Sequence, residues 1–132
     1  MSTSYVEFRE KGFWSWDRYL EDALHAIAQA PVPGADPAWL SEARQHWLRQ
    51  ASGVFAGWIH PQLDERLPTE DRQQVFLQLA DVASQRDDLT PEAAATLKLL
   101  VALVRGDIST DSSSPLDYMV SGNFPYRGLR SE

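Results

Sequence analysis

The chain has 132 residues, a net charge of −7, no cysteine, and 43% apolar residues that include five tryptophans. Such a composition suits one folded domain with a real core and argues against disorder, a disulfide framework, a thiolate nucleophile or a zinc ribbon. The excess of carboxylates over lysine and arginine disfavours nucleic acid and anionic membranes as partners, since both are held by clustered cations, and it favours a protein partner with a basic surface.

From the N-terminus, Met1 to Tyr5 shows no basic or apolar region of the kind a secretory signal needs. Residues 1–14 read as an arm, extended over Tyr5-Val6-Glu7-Phe8. The first helix is expected over 15–30, capped by Ser15 with Asp17 in its first turn and Trp16, Leu20, Ala23, Leu24 and Ile27 facing the core. Pro31-Val32-Pro33-Gly34 ends it.

The second helix is expected over 36–60, with Asp36 as cap and Pro37 at the first helical position. Apolar residues at 40, 43, 47, 51, 54 and 58 recur in steps of three and four, which places them on one stripe of a 3.6-residue period. Trp47 and Trp58 lie on that stripe, and with Trp16 they are assigned to the core. Trp14 and Trp39 fall at helix starts, where staples against the incoming chain are expected. Gly53 and Gly57, four apart, mark either a close helix approach or a kink, and Pro61 stops the helix.

Thr69, followed by Glu70 and Asp71, opens a third helix over 69–86 with Val75, Phe76, Leu79, Val82 and Ala83 inward. Thr90-Pro91-Glu92 repeats the cap-then-proline signal for a fourth helix over 90–105, the most apolar of the set, with Gly106 as its terminator. Its run Leu99 to Val104 falls far short of the roughly 20 residues that span a bilayer. Residues 107–132 begin polar and serine-rich but continue with Leu116, Tyr118, Met119, Val120, Phe124 and Tyr126, so an irregular segment lying on the helices is expected. The fold class that follows is all-α: a single domain, residues 1–132, formed by an antiparallel bundle of four main helices with an irregular C-terminal segment.

No catalytic constellation stands out. Asp17, Glu21 and His25 line one helix face and Glu42 precedes His46 by four, but these pairs lack the repeated Glu-x-x-His geometry of a di-iron bundle. Solvated helix faces explain them better. His60 sits at a helix end, where a cation is favourable. No serine follows a strand–turn–helix elbow, and the glycines at 53, 57, 122 and 128 are too scattered to cradle phosphate. The chain is therefore expected to be no enzyme, to need no cofactor and no metal, and to reside in the cytoplasm.

Short stretches resemble a family of small helical immunity proteins of type VI secretion systems. The similarity lies in Tyr19-Leu20-Glu21-Asp22-Ala23-Leu24, in Leu40-Ser41 with Gln45, in Leu79-Ala80 and Val82-Ala83, and in Pro91-Glu92, within roughly residues 16–105. The resemblance implies a cytosolic antitoxin that binds an effector toxin domain, one that destroys NAD, and occludes its active site. Antiparallel helices bring Asp64, Glu65, Glu70, Asp71, Asp107 and Asp111 to one pole. That acidic pole is the expected docking surface for a basic toxin, with Tyr118 and Tyr126 as second candidates. A non-enzymatic helical adaptor, or an enzyme whose site forms only in three dimensions, are the alternatives.

Overall fold

Ser4-Tyr5-Val6-Glu7-Phe8 and Phe13-Trp14-Ser15-Trp16 each alternate between two kinds of side chain, the period of a strand with one face covered. In the computed structural model, which describes residues 2–108, they form an antiparallel hairpin of β1 (Thr3–Phe8) and β2 (Lys11–Trp16). Val6 stands opposite Phe13 and Ser4 opposite Ser15, all buried, while Tyr5 and Trp14 pair on the other face with ring centroids 5.2 Å apart. The turn between the strands is Arg9-Glu10, both with positive φ (52° and 69°), the backbone that two-residue hairpin loops prefer. Its strain is offset in part by an anchor, since the Arg9 backbone N–H donates to Asp64 Oδ1 at 3.0 Å. A side chain at residue 12 would place its first carbon 2.2 Å from the Val6 carbonyl oxygen and 2.6 Å from the Tyr5 ring, so this position accepts only glycine.

Five helices follow: α1 (Asp17–Gln29), α2 (Ala38–Gln50), α3 (Leu63–Arg66), α4 (Glu70–Ser84) and α5 (Pro91–Arg105). α1 is the central element, packed against α2, α4 and α5, while the hairpin rests on α1, α3 and α5. Leu20, Ala23, Leu24 and Ile27 of α1 are fully buried, each of the large ones contributing about 1.5–3 kcal/mol of apolar transfer free energy. Trp47 of α2 is also fully buried and meets Phe76 of α4 edge-on, 5.6 Å between centroids. On the same side the Arg72 guanidinium lies over the half-buried Trp39 ring at 4.9 Å, a second α2–α4 contact.

The expected all-α bundle is overturned: the described residues form a mixed structure, with a two-stranded sheet and five helices. Two departures account for this. Ser15 does not cap a helix but sits buried within β2, so α1 starts two residues later, at Asp17, with no side-chain cap. The helix expected over 36–60 stops at Gln50. Asp36 does not cap it either. Its carboxylate takes the Arg44 guanidinium (Nε–Oδ2 2.7 Å), whose Nη1 donates to the Ala28 and Ala30 carbonyls at 2.9 and 2.6 Å and so satisfies the C-terminal end of α1.

Elsewhere the local signals hold. Thr69 and Thr90 accept hydrogen bonds from the Arg72 and Ala93 N–H groups, Pro91 opens α5, and Gly106 ends it. The segment 107–132 is described only at Asp107, which is exposed, and Ile108, which is buried; its remaining residues lie outside the described part.

Candidate functional site

Where a continuous helix was expected, residues 51–62 form a loop. Two glycines begin the explanation. Gly53 and Gly57 both take left-handed backbone, φ 91° and 78°, which ends α2 and bends the segment back on itself. The rest comes from side chains below, which satisfy the loop's backbone from three elements. Three of them belong to the last two turns of α2. His46 Nε2 lies 2.8 Å from the His60 carbonyl oxygen, Trp47 Nε1 donates to the Pro61 carbonyl at 2.9 Å, and Gln50 Oε1 accepts from the His60 N–H at 2.7 Å. Because a carbonyl can only accept, His46 carries its proton on Nε2.

From α1, the buried Asp17 carboxylate accepts from the Gly57 N–H at 2.6 Å and from the hydroxyls of Ser4 (2.6 Å) and Ser2. Ser4 relays the contact, since its Oγ also accepts from the Ile59 N–H at 3.1 Å. Glu21, one turn further along, lies beside Gly53. Partial burial, together with the neighbouring Asp17 and Asp22, raises the Glu21 carboxyl above its ordinary range, against the lowering effect of the nearby Gly53 backbone. Ile59 and Pro61 are buried, so the second half of the loop is anchored in the core.

The apex has the opposite character. Val54 is 77% exposed, Trp58 81% and Phe55 36%, and the Trp58 N–H donates to the Phe55 carbonyl at 2.7 Å in a tight turn that holds the two aromatics on one short segment. Trp58, assigned to the core from its place on the stripe, is thus the most exposed large apolar side chain among the described residues.

No protein-family model, curated protein or solved structure matches this chain.

The predicted acidic pole is assembled only in part. Asp64 and Glu65 on α3, Glu70 and Asp71 in the first turn of α4, and Asp107 after α5 are all exposed. Glu70 lines one shallow recess with Arg9 and Arg105, and Asp107 lines the adjoining one with Arg105. Two arginines therefore interleave with the carboxylates, and the surface is mixed in sign rather than uniformly negative. Asp111, Tyr118 and Tyr126 lie outside the described residues. Among the described residues no three histidine or carboxylate side chains gather as a metal-ligand set, and no helix is long and apolar enough to cross a membrane.

The loop base is pH-sensitive. Burial pushes His46 below its ordinary value near 6.5; the hydrogen bond to the His60 carbonyl opposes this, while Arg66, Arg49 and His60 repel the protonated ring. Below pH 6.5 the unfolded chain takes up this proton before the folded one does. The stabilisation is therefore complete above about 6.5 and is lost as the pH falls from there through the lowered folded value. Urea unfolding between pH 7 and pH 5 should show this loss, and His46→Gln, which keeps a donor for the carbonyl but cannot titrate, should show a shallower one. Equal pH slopes for the two proteins would remove His46 from the account.

Proposed function

We propose that this chain is an immunity protein: it binds a cognate bacterial effector toxin domain and blocks its active site, with the 51–62 loop as the principal docking element. The observation that carries this reading is the pairing of an exposed Val54–Phe55–Trp58 apex with a base fixed by buried side chains. An inhibitor gains affinity when its contact surface is ordered before binding, because the entropic cost of ordering has then been met during folding. Tryptophan is the residue most enriched among interface hot spots, and a single large apolar side chain on a firm loop suits a concave active site. The resemblance of α1, α2, α4 and the start of α5 to type VI immunity proteins supports the same reading. The carboxylates at 64, 65, 70, 71 and 107 supply a long-range field that steers a basic partner, while the loop supplies the close contact.

The test is co-expression with the open reading frame beside this gene. Expression of that frame alone should arrest growth, the present chain should restore it, and the two proteins should purify as one complex. A neighbouring frame that is harmless, or a toxicity that this chain leaves unchanged, would discard the proposal.

A further inference from the structure

Two hydrogen bonds between distant parts of the chain join the N-terminal strand to the far leg of the loop. The Ile59 N–H donates to Ser4 Oγ at 3.1 Å, and the Arg9 N–H donates to Asp64 Oδ1 at 3.0 Å. Each bond joins residues 55 apart, so residues 59–64 follow β1 in the same direction and are tied to it at both ends. Between the ties, Val6 and Phe8 of β1 and Ile59 and Leu63 of the other segment belong to one buried cluster. The start of β1 also closes over the carboxylate that holds the apex. Asp17, which receives the Gly57 N–H, takes the hydroxyls of Ser2 and Ser4, and its own N–H donates to the Ser2 carbonyl at 3.0 Å. At the other end of the strand the turn is strained, since Arg9 and Glu10 both hold left-handed backbone without being glycine. Asp64 therefore fastens the hairpin where its backbone is least at ease.

We propose that β1 is a strap for the loop: residues 2–9 and the apex open as one unit, pivoting at residues 60–61, where the bonds from His46, Trp47 and Gln50 of α2 persist. A two-stranded hairpin is marginal by itself, so β1 depends on residues 59–64 and Asp17 as much as they depend on it. Partial openings of folded proteins commonly follow such supersecondary units. The order of the Val54–Phe55–Trp58 apex is then set from both ends of one strand, by Ser4 at its start and by Asp64 against its turn. An event that lifts the N-terminal strand disarms the apex while the helices stay folded. That the apex docks a toxin rests on the function proposed above; the joint opening of strap and loop does not.

The experiment is native-state hydrogen exchange, followed by NMR on the full chain in urea below the unfolding midpoint. In the parent, the amides of Val6, Arg9, Gly57 and Ile59 should share one opening with one dependence on urea. Asp64→Ala should speed exchange at Gly57 and Ile59 about fivefold to twentyfold, although its own bond is to Arg9, and Ser4→Ala should speed exchange at Arg9 by a similar factor, the range that losing one or two hydrogen bonds allows. Asp64 is exposed, so its removal leaves the core intact, and the Leu79 and Leu100 amides of α4 and α5 should exchange as in the parent. Faster exchange confined to each variant's own end, Arg9 for Asp64→Ala and Ile59 for Ser4→Ala, would show two separate contacts and overturn the strap. An equal gain at Leu79 and Leu100 would also overturn it, since the opening unit would then be the whole domain. Because exchange is measured on the free chain, its failure leaves the toxin reading standing, and a failed co-expression leaves the strap standing.

Discussion

Trp58→Ala should weaken binding to the proposed toxin partner by roughly a hundredfold, about 2–4 kcal/mol, the loss typical of an interface hot spot. At 81% exposure the side chain contributes little to the folded core, so stability should stay within ~0.5 kcal/mol of the parent. That separation makes the result interpretable. Calorimetry of the complex reads the affinity, thermal unfolding of the free protein reads the fold, and growth of the co-expressing strain reads protection. Trp47 supplies the contrast within the same stretch of sequence: fully buried against Phe76 and bonded to the Pro61 carbonyl, it should cost about 3–5 kcal/mol of stability when cut to alanine. A Trp58→Ala protein that binds and protects like the parent would end the case for the loop.

Asp17→Ala should lower folding stability by about 3 kcal/mol, because it strips the acceptor from three donors at once and leaves the Gly57 N–H without its partner. Asp17→Asn should cost less. The Ser4 hydroxyl can rotate to accept from the new amide while the remaining oxygen still receives Gly57. Urea midpoints rank the two variants. Hydrogen exchange localises the damage, with the Gly57 and Ile59 amides expected to lose protection before those of α4 and α5. Since the apex residues are untouched, any fall in toxin affinity in Asp17→Asn measures the value of holding the loop in advance. Exchange at Gly57 and Ile59 equal to that of the parent in Asp17→Ala would show that the carboxylate does not secure the loop.

How far the sequence foretold this arrangement differs from element to element. Thr69 and Thr90 announce α4 and α5 because an N-cap is a local device: the hydroxyl and the N–H it serves are three residues apart. Gly106 and the apolar run before it were legible for the same reason. The hairpin was hidden by its turn. Arg9-Glu10 adopts a backbone usually given to asparagine and glycine, and the anchor that helps to hold it, Asp64, is distant in sequence. The alternation in 4–8 and 13–16 was the available signal. The end of α2 misled for a different reason. A stripe of apolar residues at helical spacing is necessary for a buried helix but does not ensure one, and Val54 and Trp58 continue the stripe past the point where the backbone leaves the helix. Ser52-Gly53, with Gly57 four further on, was the local clue to termination. What decides the outcome is Asp17, Ser4, His46, Trp47 and Gln50, whose bonds to residues 57–61 join segments far apart in the chain. Of the candidate site, the exposed carboxylates were legible, whereas Val54 and Trp58, on the apolar stripe, were assigned to the interior.

The loop divides its work between two sets of positions. Gly57, Ile59, His60 and Pro61 are tied through backbone groups, and the positive φ of Gly57 and the burial of Ile59 and Pro61 restrict what can stand at those three positions, while the side chains of Val54 and Trp58 touch almost nothing of their own molecule. Those two sites are thus free to vary at small thermodynamic penalty, and under the proposed immunity role a lineage facing a succession of altered adversaries could re-aim this finger by swapping its tip while the knuckle stays the same.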